Sequence, residues 1–405
     1  MPLPTPFHSR TAPLCESHEW REWSGYLAAA LYEPVHEREY YAIRNAAALI
    51  DVSPLYKYEV NGLDAVVLLN RIMTRNIDKC ALGQVMYSPW CDDDGKLIDD
   101  GTIARLAPDR FRITAAEPNL AWFLDCALGL DVSVADISEE LAALALQGPN
   151  ARQVLQEVLS EIDLGESRDS GDLDHLKYYR LAHARTPEFS LEISRTGYTG
   201  DLGYELWVSP QNAGPLWDLL VEKGLGYGIA PAGMVALDIA RIEAGLPLIA
   251  VDYISSRRAL IPEQKSSPFE LGLGWAVDLS KESFIGRSAL QEERAWGSNW
   301  AFVGLDVRWE ALEALFERVG LVPQLAGRAS RAAVPVYAGG RQIGQATSHT
   351  FSPLLKKYIA LASLERRYAG IGQRVKMEIT VEYTRQQADA TIVRLPFFDP
   401  PRKKA

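Results

Sequence analysis

Hydrophobic and polar positions change period repeatedly along this chain. Residues 37–47 (EREYYAIRNAA) space Tyr40, Ile43 and Ala47 as on a helix, and Tyr56, Tyr58 and Val60 then alternate as on a strand. Asn61-Gly62 reads as a turn, and residues 63–73 as a short amphipathic helix turning Val66, Val67, Leu69 and Ile72 to a core. A strand at 84–90, a turn at Asp92-Asp93-Asp94-Gly95, a return strand at 97–106 and a third strand at 111–114 follow. Residues 141–146 form a buried strand, and a helix runs on from Gly148-Pro149 through Leu159. Glu192 and Ile193 close another strand, 206–208 open its partner, and helices are predicted at 216–221 and at 236–245, where Gly245 is the cap. Hairpins alternate with helices twice, the pattern of an α+β protein with antiparallel sheets.

The remaining segments are less periodic. Residues 1–14 are rich in Pro and Thr and read as a loose arm. Residues 20–32 hold Trp20, Trp23, Tyr26, Leu27 and Leu31, either a helix or an aromatic lead-in. The basic segment 250–265, with Arg257, Arg258 and Lys265, reads equally as a solvated loop or as an insertion beside a cavity mouth. Residues 292–300 read as a linker, and strands are expected at 301–307, 335–337, 343–348, 358–361 and 375–379.

A chain of 405 residues suffices for two or three domains with a sizeable core. Its net charge of −11 argues against a general nucleic-acid binder, which needs basic surface to neutralise phosphates. Cys15, Cys80, Cys91 and Cys126 lack metal-ligand spacing, and the 6 histidines form no triad or metal set, so no metal centre is expected. No apolar run approaches the ~20 residues of a membrane helix. Prolines interrupt the amino terminus where a signal peptide is apolar, so a cytoplasmic location is the expectation.

Candidate chemistry gathers in two stretches. Between the strands around 192 and 206, Gly197, Gly200 and Gly203 recur every third residue, which implies a tight connection. Tyr198, Tyr204 and Glu205 lie on it. Two flat rings beside a carboxylate suit a heteroaromatic ligand carrying N–H donors; two half-buried tyrosines and a solvated acid are the plainer alternative. The second stretch is Asp99-Asp100: adjacent strand residues point to opposite faces, so one acid can look into a cavity. Tyr87, on the preceding strand, either hydrogen-bonds a ligand or fills the core.

The stretch TGYTGDLGYE at 196–205 resembles the TGYTGE-x-GYE signature of the glycine cleavage T-protein family of folate-dependent one-carbon transferases, with Asp201 in place of Glu. Arg44 and Asp51-Val52-Ser53 match the family's VR-x-x-A-x-L-FDVSHM, with Pro54-Leu55 replacing His-Met. ALDIARIEAG at 236–245 is similar to ARDTLRLEAG: Arg241, Glu243 and Gly245 match, and Leu237 replaces the first Arg. SPFELGLGW at 267–275 and FIGR at 284–287 resemble the domain junction, and 335–361 the carboxy-terminal barrel. The likeness runs from 37 to 396. It implies a three-lobed α+β architecture: two ferredoxin-like antiparallel subdomains within 37–290 and a β-barrel over 300–396, after an amino-terminal arm and lead-in at 1–36. It also implies tetrahydrofolate as cofactor, gripped by Glu205, with Tyr198, Tyr204, Tyr87 and Arg241 at the same site and Asp99 or Asp100 as the catalytic acid.

Pro54-Leu55, Leu237 and a short loop at 115–119 depart from aminomethyltransferases, and Gly101 after the acids is similar to folate-dependent demethylases. The expectation is a demethylase moving a methyl group from a small O-, S- or N-methylated substrate to N5 of tetrahydrofolate. The alternatives are a glycine cleavage aminomethyltransferase and a non-catalytic folate-binding module. The module resembles iron–sulfur assembly relatives, whose KGC-x-x-GQE segment is absent here: Gly372-Gln373 lacks the cysteine. A fragment of a flavin-dependent dehydrogenase is disfavoured, because no GxGxxG turn precedes the domain.

Overall fold

The alternation read from the sequence builds two large sheets in the first part of the chain, beside a small amino-terminal one, and a barrel in the last. The structure, a computed structural model, describes residues 1–163 and 173–404. The chain divides into two units: Met1–Ser88, Asp99–Leu237 and Asp399–Ala405 in one, Pro89–Ile98 and Asp238–Phe398 in the other.

The first unit holds a seven-stranded sheet. Its order is Glu161–Asp163, Leu181–Arg185, Ser190–Ser194, Gly203–Val208, Ala142–Gln147, Ala47–Asp51, Ile229–Pro231. Neighbours are antiparallel except the last pair. One face is apolar: Tyr204, Leu206 and Val208 pack with Leu144, Leu146 and Ile193 in one core cluster. The helices Ala151–Val158 and Ala213–Gly224 cover it. Ala151, Val154, Leu155 and Val158, one stripe of the first helix, are all buried there. The pleat sends Ala143, Ala145, Glu205 and Trp207 to the opposite face.

The strands Val85–Cys91, Leu97–Ala107, Arg110–Ala115, Tyr56–Asn61 and Ser133–Asp136 make a five-stranded sheet in that order. Tyr58, Val60, Ile103, Phe111 and Ile113 are buried on one face, where Tyr58 meets Phe123 of the helix Leu120–Ala127 edge-on at 5.2 Å. The other face carries Asp100, Thr102, Ala104, Arg112 and Thr114, with Ala104 opposite Arg112 and Thr102 opposite Thr114.

The amino terminus corrects two expectations. The arm is not loose: Leu3–Pro4 pairs with a strand, Phe7 is fully buried in the seven-stranded sheet's core, and Thr5 donates to Asp51 at 2.6 Å. Residues 20–32 form a β-hairpin, Glu19–Trp23 with Tyr26–Leu31, turned by Ser24 and Gly25 at φ 48° and 85°. Two successive left-handed residues make the tight turn that suits strand twist, and the aromatic residues around it prefer strand to helix.

In the second unit six strands close a barrel: Trp300–Val307, Lys357–Glu365, Arg341–Ser352, Val334–Ala338, Arg374–Val381 and Thr384–Val393, the last pairing back to the first. The α+β class with a carboxy-terminal barrel is thus as expected. Thr384–Val393 had not been anticipated, because Gln, Asp and Thr occupy its outward positions while Ala388, Ala390 and Ile392 fill the barrel. Most of the expected linker at 292–300 belongs instead to the helix Arg287–Trp296, anchored by buried Leu290 and ended by Gly297 at φ 90°. In the segment 250–265, Lys265 pairs with Asp92 at 3.1 Å, a contact within this unit. No described helix is long and apolar enough to cross a membrane.

Candidate functional site

The glycine spacing of the signature hairpin has a steric cause. Gln147 is wholly buried, donating from Nε2 to the carbonyls of Thr196 and Tyr204 and accepting from Thr199 Oγ1. A Cβ on Gly197 or Gly203 would fall 2.1 or 2.2 Å from its amide oxygen, so both positions must lack a side chain. Asp201, where the signature has Glu, is also buried; it accepts from Arg402 at 2.6 and 2.9 Å and sits 3.6 Å from Arg44. These contacts fix the hairpin from which Glu205 projects.

Glu205 is half-buried. Its Oε2 accepts from Thr196 Oγ1 at 2.6 Å and from Ser194 Oγ at 3.4 Å; among the described residues its Oε1 has no hydrogen-bond partner. Burial raises its pKa, opposed by the Thr196 hydroxyl and the charge of Arg112. Tyr204, its neighbour, faces the other way. Its ring is fully buried in the core and its hydroxyl accepts from Arg152 Nε at 3.1 Å. The expectation that both tyrosines of the hairpin reach a ligand is therefore corrected at Tyr204, because adjacent strand residues take opposite faces. Tyr198, in the turn, stays half-exposed.

The two aspartates separate in the same way. Asp99 is fully buried with Tyr58 and Phe111. Its Oδ1 accepts the Asp100 N–H at 2.8 Å, and its Oδ2 accepts the Glu117 N–H at 3.0 Å and Asn119 Nδ2 at 2.8 Å. Burial, then the charge of Asp100, holds its pKa well above the usual carboxylate range. Asp100 lies half-buried on the face shared with Arg112, and its Oδ2 accepts the Tyr87 hydroxyl at 2.9 Å. Tyr87 is held protonated first by burial and then by Asp100.

Tyr179, which the sequence reading passed over, joins the two stretches. Its carbonyl accepts from Val85 N at 3.0 Å and its N–H donates to Arg195 at 3.1 Å, tying the Tyr87 strand to the signature hairpin. Its backbone is left-handed at φ 61°, costly for an aromatic residue. Its ring meets Tyr178 edge-on at 4.6 Å. The charge of Glu205 bears on Tyr179, and Tyr179 in turn bears on Tyr87. Glu205, Tyr179, Tyr87, Tyr198 and Asp100 thus form one electrostatically connected group in the first unit.

Arg241 lies in the second unit, fully buried. Its Nε donates to Asp238 at 2.9 Å, Nη1 to Asp252 at 2.5 Å and Nη2 to Ser348 Oγ at 2.8 Å. Its assignment to a folate site rests on the resemblance alone.

The family model described as the GCVT N-terminal domain matches residues 7–281, and the glycine cleavage T-protein C-terminal barrel domain matches 317–399. The chain belongs to the glycine cleavage T-protein family. It is 32% identical over 397 residues to the aminomethyltransferase of Halothermothrix orenii, covering 96% of this chain and 99% of that protein. It is 33% identical over 409 residues to the trimethylamine-oxide aldolase of Ruegeria pomeroyi, covering 99% of this chain but 47% of that protein, so it spans about half of that relative's length. The solved structure of the glycine cleavage system aminomethyltransferase T of Bartonella henselae superposes with a TM-score of 0.79 at 23% identity, covering 98% of each chain, which shows the same fold. T-proteins are tetrahydrofolate-dependent transferases, and this chain is an enzyme of that kind. Glu205 Oε1, unengaged among the described residues, is the feature of this T-protein that fits a pterin bearing N–H donors.

Proposed function

We propose that this T-protein is a tetrahydrofolate-dependent demethylase that takes a methyl group from a small O-, S- or N-methylated donor. Tetrahydrofolate, when bound, supplies N5 as the nucleophile that receives the one-carbon unit. Glu205 holds the pterin through Oε1, and Tyr198 and Tyr87 bound the same space. Asp100 is the operative acid, held by Tyr87 so that it can accept a proton or stabilise positive charge at the reacting centre. Asp99, with both oxygens occupied, instead fixes the 115–119 loop.

The observation carrying the assignment of roles is the sheet face: Asp100 shares with Arg112 the face whose field reaches Glu205, whereas Asp99 shares the buried face of Tyr58. The demethylase preference is supported by Pro54-Leu55, Leu237 and the short loop, and by a relative whose name specifies a methylated amine oxide. Aminomethyl transfer is the second reading, favoured by the aminomethyltransferase that this chain matches nearly end to end. The two differ in product. Incubation with tetrahydrofolate and a panel of methylated donors is expected to give 5-methyl-tetrahydrofolate. Formation of 5,10-methylene-tetrahydrofolate from an aminomethylated lipoyl carrier protein, with no methylated donor accepted, overturns the demethylase reading.

A further inference from the structure

Arg112 is a charged residue in the alternating strand Arg110–Ala115, buried between the two sheets of the first unit. On the face of the seven-stranded sheet that carries Trp207 and Glu205 their cross-strand partners are small: Ala143 lies opposite Trp207, and Ala145 opposite Glu205. Its guanidinium carbon stands 4.1 Å from the centre of the Trp207 ring, and Nη2 donates to Glu192 at 2.5 Å. Glu192 and Trp207 are themselves direct cross-strand partners, as are Ser194 and Glu205 two residues along on the same face. Trp207 Nε1 donates to Ser194 Oγ at 3.0 Å, and Ser194 donates to Glu205 Oε2. Thr196 Oγ1, within hydrogen-bond reach of both, closes this small network.

We propose that Arg112 is a positioning residue for the ligand-binding carboxylate, fixing Glu205 in orientation through Trp207 and Ser194 and in charge through its own guanidinium. The proposal rests on the folate reading only for what Glu205 binds. A carboxylate must be ionised to accept two N–H bonds from a pterin edge, and burial works against that. Arg112 is the cation that opposes burial here. Among the described residues, the other titratable groups bearing on Glu205 are Tyr178 and Tyr179, which stay protonated; its cross-strand neighbours Ser194 and Ala145 carry no charge. Glu192 and Lys57 act on Arg112 itself, the first by ion pairing and the second by repulsion. Arg112 Nε, buried without a partner among the described residues, shows that the side chain is held by its terminal contacts and the indole stack rather than by a full set of hydrogen bonds.

The test has two readouts. In the ligand-free protein, the carboxyl carbon resonance of Glu205 is titrated by NMR in wild type, Arg112→Gln, Arg112→Lys and Glu192→Gln. Arg112→Gln is expected to raise the Glu205 midpoint by on the order of one pH unit, Arg112→Lys by less, and Glu192→Gln to lower it. Calorimetry with tetrahydrofolate then follows affinity against pH. The Arg112→Gln protein is expected to bind about tenfold more weakly below its raised midpoint and to recover above it. An unchanged Glu205 midpoint in Arg112→Gln, or in both Arg112→Lys and Glu192→Gln should Arg112→Gln fail to fold, overturns the proposal. So does a loss of affinity that is equal at every pH, the mark of a merely structural residue. If wild type binds no tetrahydrofolate while the NMR midpoints move as expected, the folate reading fails and the coupling stands.

Discussion

Asn119 holds Asp99 from the far side of the acidic pair: Nδ2 donates to Asp99 Oδ2 at 2.8 Å while the Glu117 N–H donates to the same oxygen. Asp100, the next residue along the strand, faces the other way. Its Oδ2 takes the Tyr87 hydroxyl on the opposite face of the strand. Replacing Asp100 by Asn keeps the volume and removes the charge, so the fold is expected to survive while turnover falls by about 10²-fold or more. Asp99→Asn turns an N–H donor toward groups that already donate, and is expected to lower stability by about 1–3 kcal/mol. Comparing turnover and denaturation midpoints separates them. Normal turnover in Asp100→Asn together with a stable, inactive Asp99→Asn would reverse the roles.

Glu205→Gln tests the pterin contact. The amide keeps shape but loses the charge that strengthens N–H···O bonds, so tetrahydrofolate affinity should fall by about 1.5–3 kcal/mol, roughly tenfold or more. Titration calorimetry at neutral pH measures it, and an unchanged affinity removes Glu205 from the site.

Much of this arrangement could be read from the sequence, and the reason is local. The hairpin around Glu205 is written in glycines whose spacing answers to the buried Gln147, and the two aspartates alternate because any strand does. Tyr204 misled because the signature names residues without naming faces; counting one step from Glu205 would have sent it to the core. Arg112, Asn119 and Tyr179 went unnoticed because their roles arise from contacts with residues 20 to 95 positions away, such as Asp99, Val85 and Trp207. A trace of Arg112 was nevertheless present: an arginine between Phe111 and Ile113 is a charge inside a strand, rarely kept without a partner. The barrel strand Thr384–Val393 was missed for the opposite reason, since its polar outward residues hide three apolar inward ones.

Tyr179 links strain to function. A left-handed aromatic residue costs about 1–3 kcal/mol, which glycine does not incur. Tyr179→Gly also loses packing against the cluster of Val85, Ala104 and Leu181. The two effects oppose, so the unfolding free energy is expected to fall by less than the about 3–5 kcal/mol of an ordinary aromatic truncation, while folate affinity falls about tenfold. An ordinary core tyrosine would behave differently, losing about 3–5 kcal/mol on truncation with no change in affinity.

Lys57 provides a pH test that needs no ligand. Its ammonium is fully buried, donating to the carbonyls of Ser53 at 2.6 Å and Ser138 at 3.3 Å. Burial pulls its pKa down from 10.5 to about 8; Arg112 adds to this, and Asp51 and Asp136 oppose it. Between about 8 and 10.5 the unfolded chain therefore holds a proton on this lysine that the folded chain has lost. More protons bound in the unfolded state means that stability rises with pH across that window. Below about 8 the lysine is charged in both states and the folded state bears the full cost of the buried charge, on the order of a few kcal/mol. Lys57→Met removes the titration, so the stability of wild type relative to the variant is expected to climb as pH rises through the window and to be level below it. Urea denaturation of both proteins at intervals between pH 7 and about 10.5 measures this difference. A constant difference across the series would mean that Lys57 titrates as an ordinary lysine, and that the space between the sheets admits water up to its ammonium.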